Sequence, residues 1–388
     1  VESFLIKDIL NEKNDEKVIN QSLKRNMPAC IIYTSGTSGS PKGVVLSHGG
    51  ILSNCEGAVE LLEPLIKIKD PIFLTWLPLS HSYEHTVQFI QIIVGAKVFY
   101  AESLEKLISN MGAARPTIMT AVPRFYQNLF TKINMNFEKQ TGIKKMLINK
   151  TLKLGKKLLK KEKFNLSEKS VNFLCNILVR KKIQNQFGGN LQAFVSGGGA
   201  LDQKIGEFLN AIGLPTLQGY GLTEASPVVS CNLPHLVKVD TVGPPFRTNQ
   251  VKIAEDGEIL IKGENVMLGY WNNKQETNKV IKNEWLYTGD IGEIDLNGFL
   301  KITDRKKDII VNLGGDNIAP SKIENILCLN EFINQSFVYG DKKNYLVALL
   351  VVKKDINEEK IKIIIENINK KLSLIEKIKK FVLIYEEF

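Results

Sequence analysis

The sequence predicts an α/β protein in three parts: a large domain with a largely parallel sheet, a small β-rich subdomain, and a small α+β domain at the end. Three observations carry this. Short apolar strands alternate with helical stretches from residue 29 to about 220, the pattern that builds parallel sheets. Three strand exits, at 34–43, 196–200 and 218–224, are rich in glycine or polar residues. Ligands of such sheets sit at the carboxyl ends of strands, so these exits are expected to converge on one cleft. From about residue 241 the texture changes to short strands and turn signals, and a charged stretch, Asp304–Asp308, precedes the last segment. The expected boundaries are 1–240, 241–306 and 307–388.

In order, residues 1–27 are a polar, helix-prone lead-in. Ala29–Tyr33 reads as a strand, and residues 34–43 then hold three glycines, three serines and two threonines around Lys42. Glycines let backbone N–H groups close on an anion, hydroxyls add donors, and Lys42 adds charge: this is chemistry for phosphate. It is not a Walker A loop, because Lys42 lies between Pro41 and Gly43 and a strand, Val44–Leu46, follows. A helix is expected from Ser47 to about Leu62, then a buried strand over Pro71–Pro78. His81 and His85 lie four apart, a spacing that puts two imidazoles on one helix face. Without an HExxH pattern or a cysteine partner, no metal site is expected there. Further strands are expected over Gln91–Tyr100, Thr117–Val122, Leu191–Val195 and Thr216–Gly219, with a helix at Asp202–Ile212. Beyond 241, Val251–Ala254 and Glu258–Lys262 flank a turn, and Asn297-Gly298 marks a hairpin.

Composition narrows the class. A chain of 388 residues, 44% hydrophobic and 24% charged, can bury ample core and is neither disordered nor a membrane bundle. Five dispersed cysteines fit a reducing compartment rather than a disulfide or zinc framework. No signal peptide opens the chain and no apolar run reaches the ~18 residues of a span. A cytoplasmic location is therefore expected. The net charge of +10 is concentrated: residues 144–182 hold thirteen Lys or Arg against Glu162 and Glu168, leaving the rest near neutral. A nucleic-acid-binding surface is not expected. Within this block Met146, Leu147, Leu152, Leu154, Leu158 and Leu159 recur at roughly helical spacing. They read either as the seam of an ordinary amphipathic helix or as a helix lying on an anionic membrane at the inner face.

Seven stretches, YTSGTSGSPKGV, LPLSHSYEH, TAVPRFYQNLF, SGGGALD, QGYGLTEASPVVSCN, YTGDIGEID and DRKKDIIVNLGGDNIAPSKIE, occur in this order over nearly the whole chain. Together they resemble the adenylate-forming superfamily and, within it, the long-chain fatty acid–CoA ligases. The resemblance implies a large adenylate-forming domain of layered sheets and helices followed by a mobile C-terminal domain. It implies ATP, Mg²⁺ and CoA as cofactors or co-substrates and a fatty acid as the acyl donor. Thr34, Ser35, Gly36, Thr37, Ser38, Gly39 and Lys42 would grip phosphates, Thr223 would contact phosphate, and Glu224 would help hold Mg²⁺. Gln218, Gly219, Tyr220 and Gly221 would frame the adenine opposite Gly198, Gly199 and Ala200. Asp290 and Arg305 would bind the ribose. His81 would sit near the acyl carboxylate, Lys307 at the hinge, and Gly314 and Gly315 along the approach of CoA.

Two departures qualify the match. About thirty residues precede the phosphate loop where the family carries well over a hundred, and by the resemblance the family's C-terminal lysine would be expected just beyond Phe388. The sequence is therefore expected to be a piece of a synthetase, with weak adenylation of its own. An acyl-AMP ligase loading a carrier protein, or a non-catalytic nucleotide- or acyl-binding fragment, are the alternative readings.

Overall fold

The computed structural model describes residues 22–34, 41–330, 332–353, 356–386 and 388. Of the expected helical lead-in, only 22–27 are described, and they form a turn in which Arg25 pairs with Glu264 at 2.6 Å and Glu56 at 3.2 Å. Strands β1 (Pro28–Thr34) and β2 (Lys42–Ser47) pair antiparallel, with Thr34 opposite Lys42. Helix α1 (His48–Ile66) follows, capped where the Ser47 side chain accepts from the Gly50 N–H.

Next come β3 (Ile72–Thr75), α2 (Ser82–Ile93), β4 (Lys97–Tyr100), α3 (Leu107–Ala114), β5 (Ile118–Ala121) and α4 (Pro123–Glu138). They lead into α5 (Gly142–Leu159), α6 (Leu166–Cys175), a π turn (Asn176–Arg180) and α7 (Lys181–Gln186). Strand β6 (Ala193–Ser196), helix α8 (Gln203–Ala211), β7 (Thr216–Gly221) and β8 (Val228–Cys231) complete this part. Strands β3 to β8 form one six-stranded sheet, ordered β4-β3-β5-β6-β7-β8, parallel except for the last pair.

Period-two alternation explains the layers. Phe73, Ile118, Ala193 and Leu217 point to one face and pack on α1 and α2 through Cys55, Leu62, Tyr83 and Val87. Leu74, Met119 and Phe194 point to the other and meet α3, α4, α7 and α8 through Met111, Tyr126, Ile183 and Leu209. Both faces are covered, so the central strands β3, β5 and β6 are largely apolar.

One expected strand is corrected. Gln91–Tyr100 begins inside α2, and only Lys97–Tyr100 is extended. The β-branched run Ile90–Val94 suggests a strand, but the buried residues Tyr83, Val87 and Ile90 follow helical spacing, and Gly95, at φ +62°, turns the chain out of the helix. The basic stretch runs through α5, α6, the π turn and the start of α7; the expected apolar seam falls in α5 and is largely internal: Leu154 is buried, Leu147 and Leu152 pack on the core, whereas Met146 and Leu158 are exposed.

The second part contains β9 (Asn249–Ile253), β10 (Glu258–Gly263), β11 (Gly269–Tyr270), α9 (Lys274–Val280), β12 (Ile281–Lys282), β13 (Trp285–Ile294) and β14 (Leu300–Arg305). β11 returns to pair with β2, while β12, β13, β10 and β9 make a sheet with β14 on β13. The expected hairpin is the β13–β14 connection. The third part has β15 (Ile310–Val311), β16 (Asn317–Ile318), α10 (Pro320–Cys328), β17 (Ile333–Tyr339), β18 (Leu346–Val352), α11 (Glu358–Asn369) and β19 (Ile378–Ile384). Its own core joins Ile323, Leu327, Leu350, Ile361 and Ile365.

The docking of α5 on α8 is tight enough to test. A Cβ at Gly155 would lie 2.4 Å from the Ala211 Cα. Helix propensity alone predicts that Gly155→Ala stabilises by about 1 kcal/mol, whereas overpacking costs about 1–3 kcal/mol. The contact is expected to win, so urea denaturation should show a destabilised variant; a gain in stability would mean that α5 is not seated as described.

Candidate active site

A cleft of about 2080 Å³ opens at the carboxyl ends of β5, β6 and β7 and reaches across to β13, β14 and the start of α10. Its floor is glycine for steric reasons. A Cβ at Gly197 would meet the Tyr83 ring at 2.9 Å, Gly198 holds φ +76°, and a Cβ at Gly221 would fall 2.2 Å from the Pro227 carbonyl oxygen. Gly198, Gly199 and Ala200 line one side, and Gln218, Gly219, Tyr220 and Gly221 line the other.

Across the cleft, the β13–β14 register sets Asp290 opposite Arg305. Tyr220 Oη donates to Asp290 Oδ2 at 2.6 Å, and Arg305 Nε lies 3.4 Å from Asp290 Oδ1. Burial pushes the Asp290 carboxyl above its ordinary value, opposed by the Tyr220 hydrogen bond and the Arg305 charge. Burial and the facing carboxylate likewise push the Tyr220 phenol well up. The Arg305 side chain remains 62% exposed, so its guanidinium has donors to spare for a ligand.

At the third edge, His81 caps α2, its Nδ1 accepting from the Tyr83 N–H at 3.2 Å. That contact assigns the neutral tautomer's proton to Nε2, and partial desolvation lowers the His81 pKa, which favours the neutral ring. Ser82 Oγ and Thr223 Oγ1 are 3.1 Å apart. Glu224 Oε1 accepts from Tyr270 Oη at 2.8 Å, and the same ring carries Lys42 Nζ over its face at 5.0 Å. Lys42 Nζ also pairs with Glu276 Oε2 at 2.5 Å. Lys279 and Lys42 together hold the Glu276 carboxyl down at about 2.

The cleft thus collects Thr34, Lys42, His81, Thr223, Glu224 and Lys307 with the glycine exits, Asp290 and Arg305. Ser35, Gly36, Thr37, Ser38 and Gly39 lie outside the described residues. Gly314 and Gly315 do not line the cleft; they sit in the turn joining β15 to β16, where the Asn312 side chain bonds Asp316. The C-terminal part presents Ser321, Lys322 and Asn325 instead. His85 stacks edge-on against Phe89, and among the described residues no cluster of three or more His, Cys, Asp or Glu is arranged to hold a metal ion.

Sequence reading missed Ser82, Tyr270 and Glu276. Ser82 adjoins His81 and Tyr270 lies in Leu268-Gly269-Tyr270-Trp271, so both had a local signal. Glu276 had none: its partner is 234 positions away.

The family-model comparison matches residues 3–271 to the AMP-binding enzyme family and 307–386 to the AMP-binding enzyme C-terminal domain. The chain belongs to the AMP-binding enzyme family. Among curated proteins it is 33% identical over 332 residues to the long-chain-fatty-acid–CoA ligase FadD15 of Mycobacterium bovis, covering 85% of this chain and 55% of that protein. It is 34% identical to the peroxisomal long chain acyl-CoA synthetase 6 of Arabidopsis thaliana, covering 84% of this chain and 48% of the relative. The chain thus spans about half the length of the curated relatives it matches. Among solved structures, the o-succinylbenzoate coenzyme A synthetase of Bacillus subtilis in complex with ATP and magnesium ion superposes with TM-score 0.74 at 23% identity, covering 99% of this chain and 72% of that one. It shows the fold.

Asp290 provides a test of the site's electrostatics. Because burial raises its folded pKa above the ordinary 3.8, folding favours the neutral carboxyl, and stability is lost as pH rises from 3.8 through the folded value. Asp290→Asn keeps an acceptor for Tyr220 without the charge. Its melting temperature at pH 7 should exceed that of the native protein, with the gap closing below pH 3.8. A lower melting temperature at pH 7 would show that the Arg305 attraction outweighs burial.

Proposed function

We propose that this protein is a ligase of fatty, long-chain carboxylic acids: it activates the acid with ATP to an acyl-adenylate and transfers the acyl group to CoA, releasing AMP and pyrophosphate. The observation that carries the reading is one cleft joining the Tyr220–Asp290–Arg305 chain to the Thr223, Glu224 and Lys42 group. The first would frame adenosine and the second would hold phosphate.

A carboxylate and a triphosphate repel, so positioning and charge neutralisation dominate the barrier. Tyr220 would lie against adenine opposite the bare backbone of Gly198 and Gly199, with Gln218 in reach of the adenine edge. Asp290 would accept from ribose hydroxyls and Arg305 would donate. Thr34, Lys42 and Thr223 would hold the phosphate oxygens. Glu224 keeps acceptor capacity beyond its Tyr270 bond, and one carboxylate with substrate phosphates suits Mg²⁺, which would neutralise phosphate charge when bound. His81, neutral with Nε2–H outward, would donate to the acyl carboxylate. The same cleft is also lined by Leu61, Leu62, Phe73, Val87, Ile90 and Phe246, a wall that suits an alkyl chain rather than a polar acid.

The domains are proposed as 1–240, 241–306 and 307–388. Rotation of the last about Lys307 would bring Gly314 and Gly315, now outside the cleft, to the path of the CoA thiol. We propose a cytoplasmic protein associated with an anionic membrane through residues 144–182; no helix among the described residues is long and apolar enough to cross one.

Titrating the chain with ATP and Mg²⁺ should show saturable binding. Asp290→Ala should weaken it on the order of 10- to 100-fold, the loss of hydrogen bonds to a charged group. Equal affinity would remove Asp290 from the nucleotide site. Supplied with long-chain acyl-adenylate and, in parallel, CoA or a phosphopantetheinylated carrier protein, the chain should form acyl-CoA; acylation of the carrier protein without acyl-CoA formation would replace CoA as the acceptor.

A further inference from the structure

The core takes the seam of α5, yet the helical run after it carries a second apolar row that is left exposed among the described residues. From Leu166 to Gln186 the chain is helical throughout: α6, the π turn and α7. Its inward side is fixed. Cys175, Val179 and Ile183 are buried, and Arg180, only 6% exposed, donates through Nε to the Ala211 carbonyl at 2.9 Å and through Nη1 to Asn172 Oδ1 at 2.8 Å. The outward side is then Leu166 (83% exposed), Phe173 (64%), Leu174 (48%), Ile177 (40%) and Leu178 (41%). Two i, i+4 rows run along it: Lys169-Phe173-Ile177-Lys181, and Leu174-Leu178-Lys182. In a plain α-helix such rows drift round the axis; the wider π turn offsets that drift and keeps the apolar residues on one face between lysines.

We propose that this outward face, centred on Phe173, Leu174, Ile177 and Leu178 and bracketed by Lys169, Lys181 and Lys182, docks the protein on an anionic lipid surface. The inference rests on the membrane association proposed above but not on the proposed chemistry. Charge complementarity selects the occupant. Residues 144–182 carry thirteen basic side chains against two acidic ones, and Lys169, Lys181 and Lys182 form no salt bridge among the described residues. The face is an exposed helix surface with apolar residues along its middle and flexible cations at its edges, the arrangement of an interfacial helix whose lysines reach headgroups while rings and alkyl chains enter the acyl boundary. It differs from the face first suggested by spacing: Leu147, Leu152 and Leu154 are core residues, and the lipid-facing residues lie 19 or more positions further on.

The test is co-sedimentation of the chain with phosphatidylcholine vesicles containing 30% phosphatidylglycerol, in rising salt. Binding should require the anionic lipid and fall at least tenfold as salt screens the surface. Lys181→Gln and Lys182→Gln should each reduce it about fivefold, and Phe173→Ser with Ile177→Ser should abolish it without lowering the melting temperature or ATP binding. Salt-sensitive binding that ignores all these variants would keep the membrane association and overturn this face. No binding to anionic vesicles would overturn both, and leave nucleotide binding to stand or fall separately. Concentration-dependent dimerisation lost in the Phe173→Ser, Ile177→Ser variant would make a second copy the occupant and overturn the lipid proposal.

Discussion

The site depends on keeping one carboxylate, Asp290, almost out of water. A buried charge is tolerable only when paired and hydrogen-bonded. Here its partners come from different parts of the chain: Tyr220 from the end of the parallel sheet, and Arg305 from the neighbouring strand of the β-rich part. The bond that satisfies Asp290 therefore also ties the two parts together at the mouth of the cleft. Burial still raises its pKa, so the native fold carries a cost at neutral pH that a ribose would offset by offering hydroxyl donors.

A second linkage works in the same way on the other edge. Tyr270 reaches Glu224 with its hydroxyl and Lys42 with its ring, while β11, its own strand, pairs with β2, on which Lys42 sits. Lys42 is thereby held by an aromatic face and the Glu276 carboxylate. The arrangement keeps a paired cation at this edge of the cleft. A phosphate would compete with Glu276 for the same ammonium.

Much of the architecture was legible because its causes are local. Strand exits ending in glycine, the serine cap of α1, the Asn-Gly hairpin and the change of texture at 241 all act within a few residues. The failures were also physical. Ile90–Val94 is β-branched and reads as a strand, yet the burial of Tyr83, Val87 and Ile90 against the sheet decides for helix. Gly314 and Gly315 share a motif with Arg305 and Lys307 but point elsewhere in this arrangement of the C-terminal part, and spacing along the chain cannot report that.

The sequence by itself determined the class of fold and, through seven motifs in order, the family, and it named the strand-exit residues that the cleft collects, because glycine, hydroxyl and charge at strand ends are local signals. Tertiary structure decided what pairs with what. Asp290 finding Tyr220 seventy positions away, Lys42 finding Glu276 across 234, and the lysine-rich helix turning Leu147, Leu152 and Leu154 inward while its neighbour leaves Phe173 outside are outcomes of sheet register and helix docking. They are long-range contacts, and periodicity along one segment carries no information about the element it will meet.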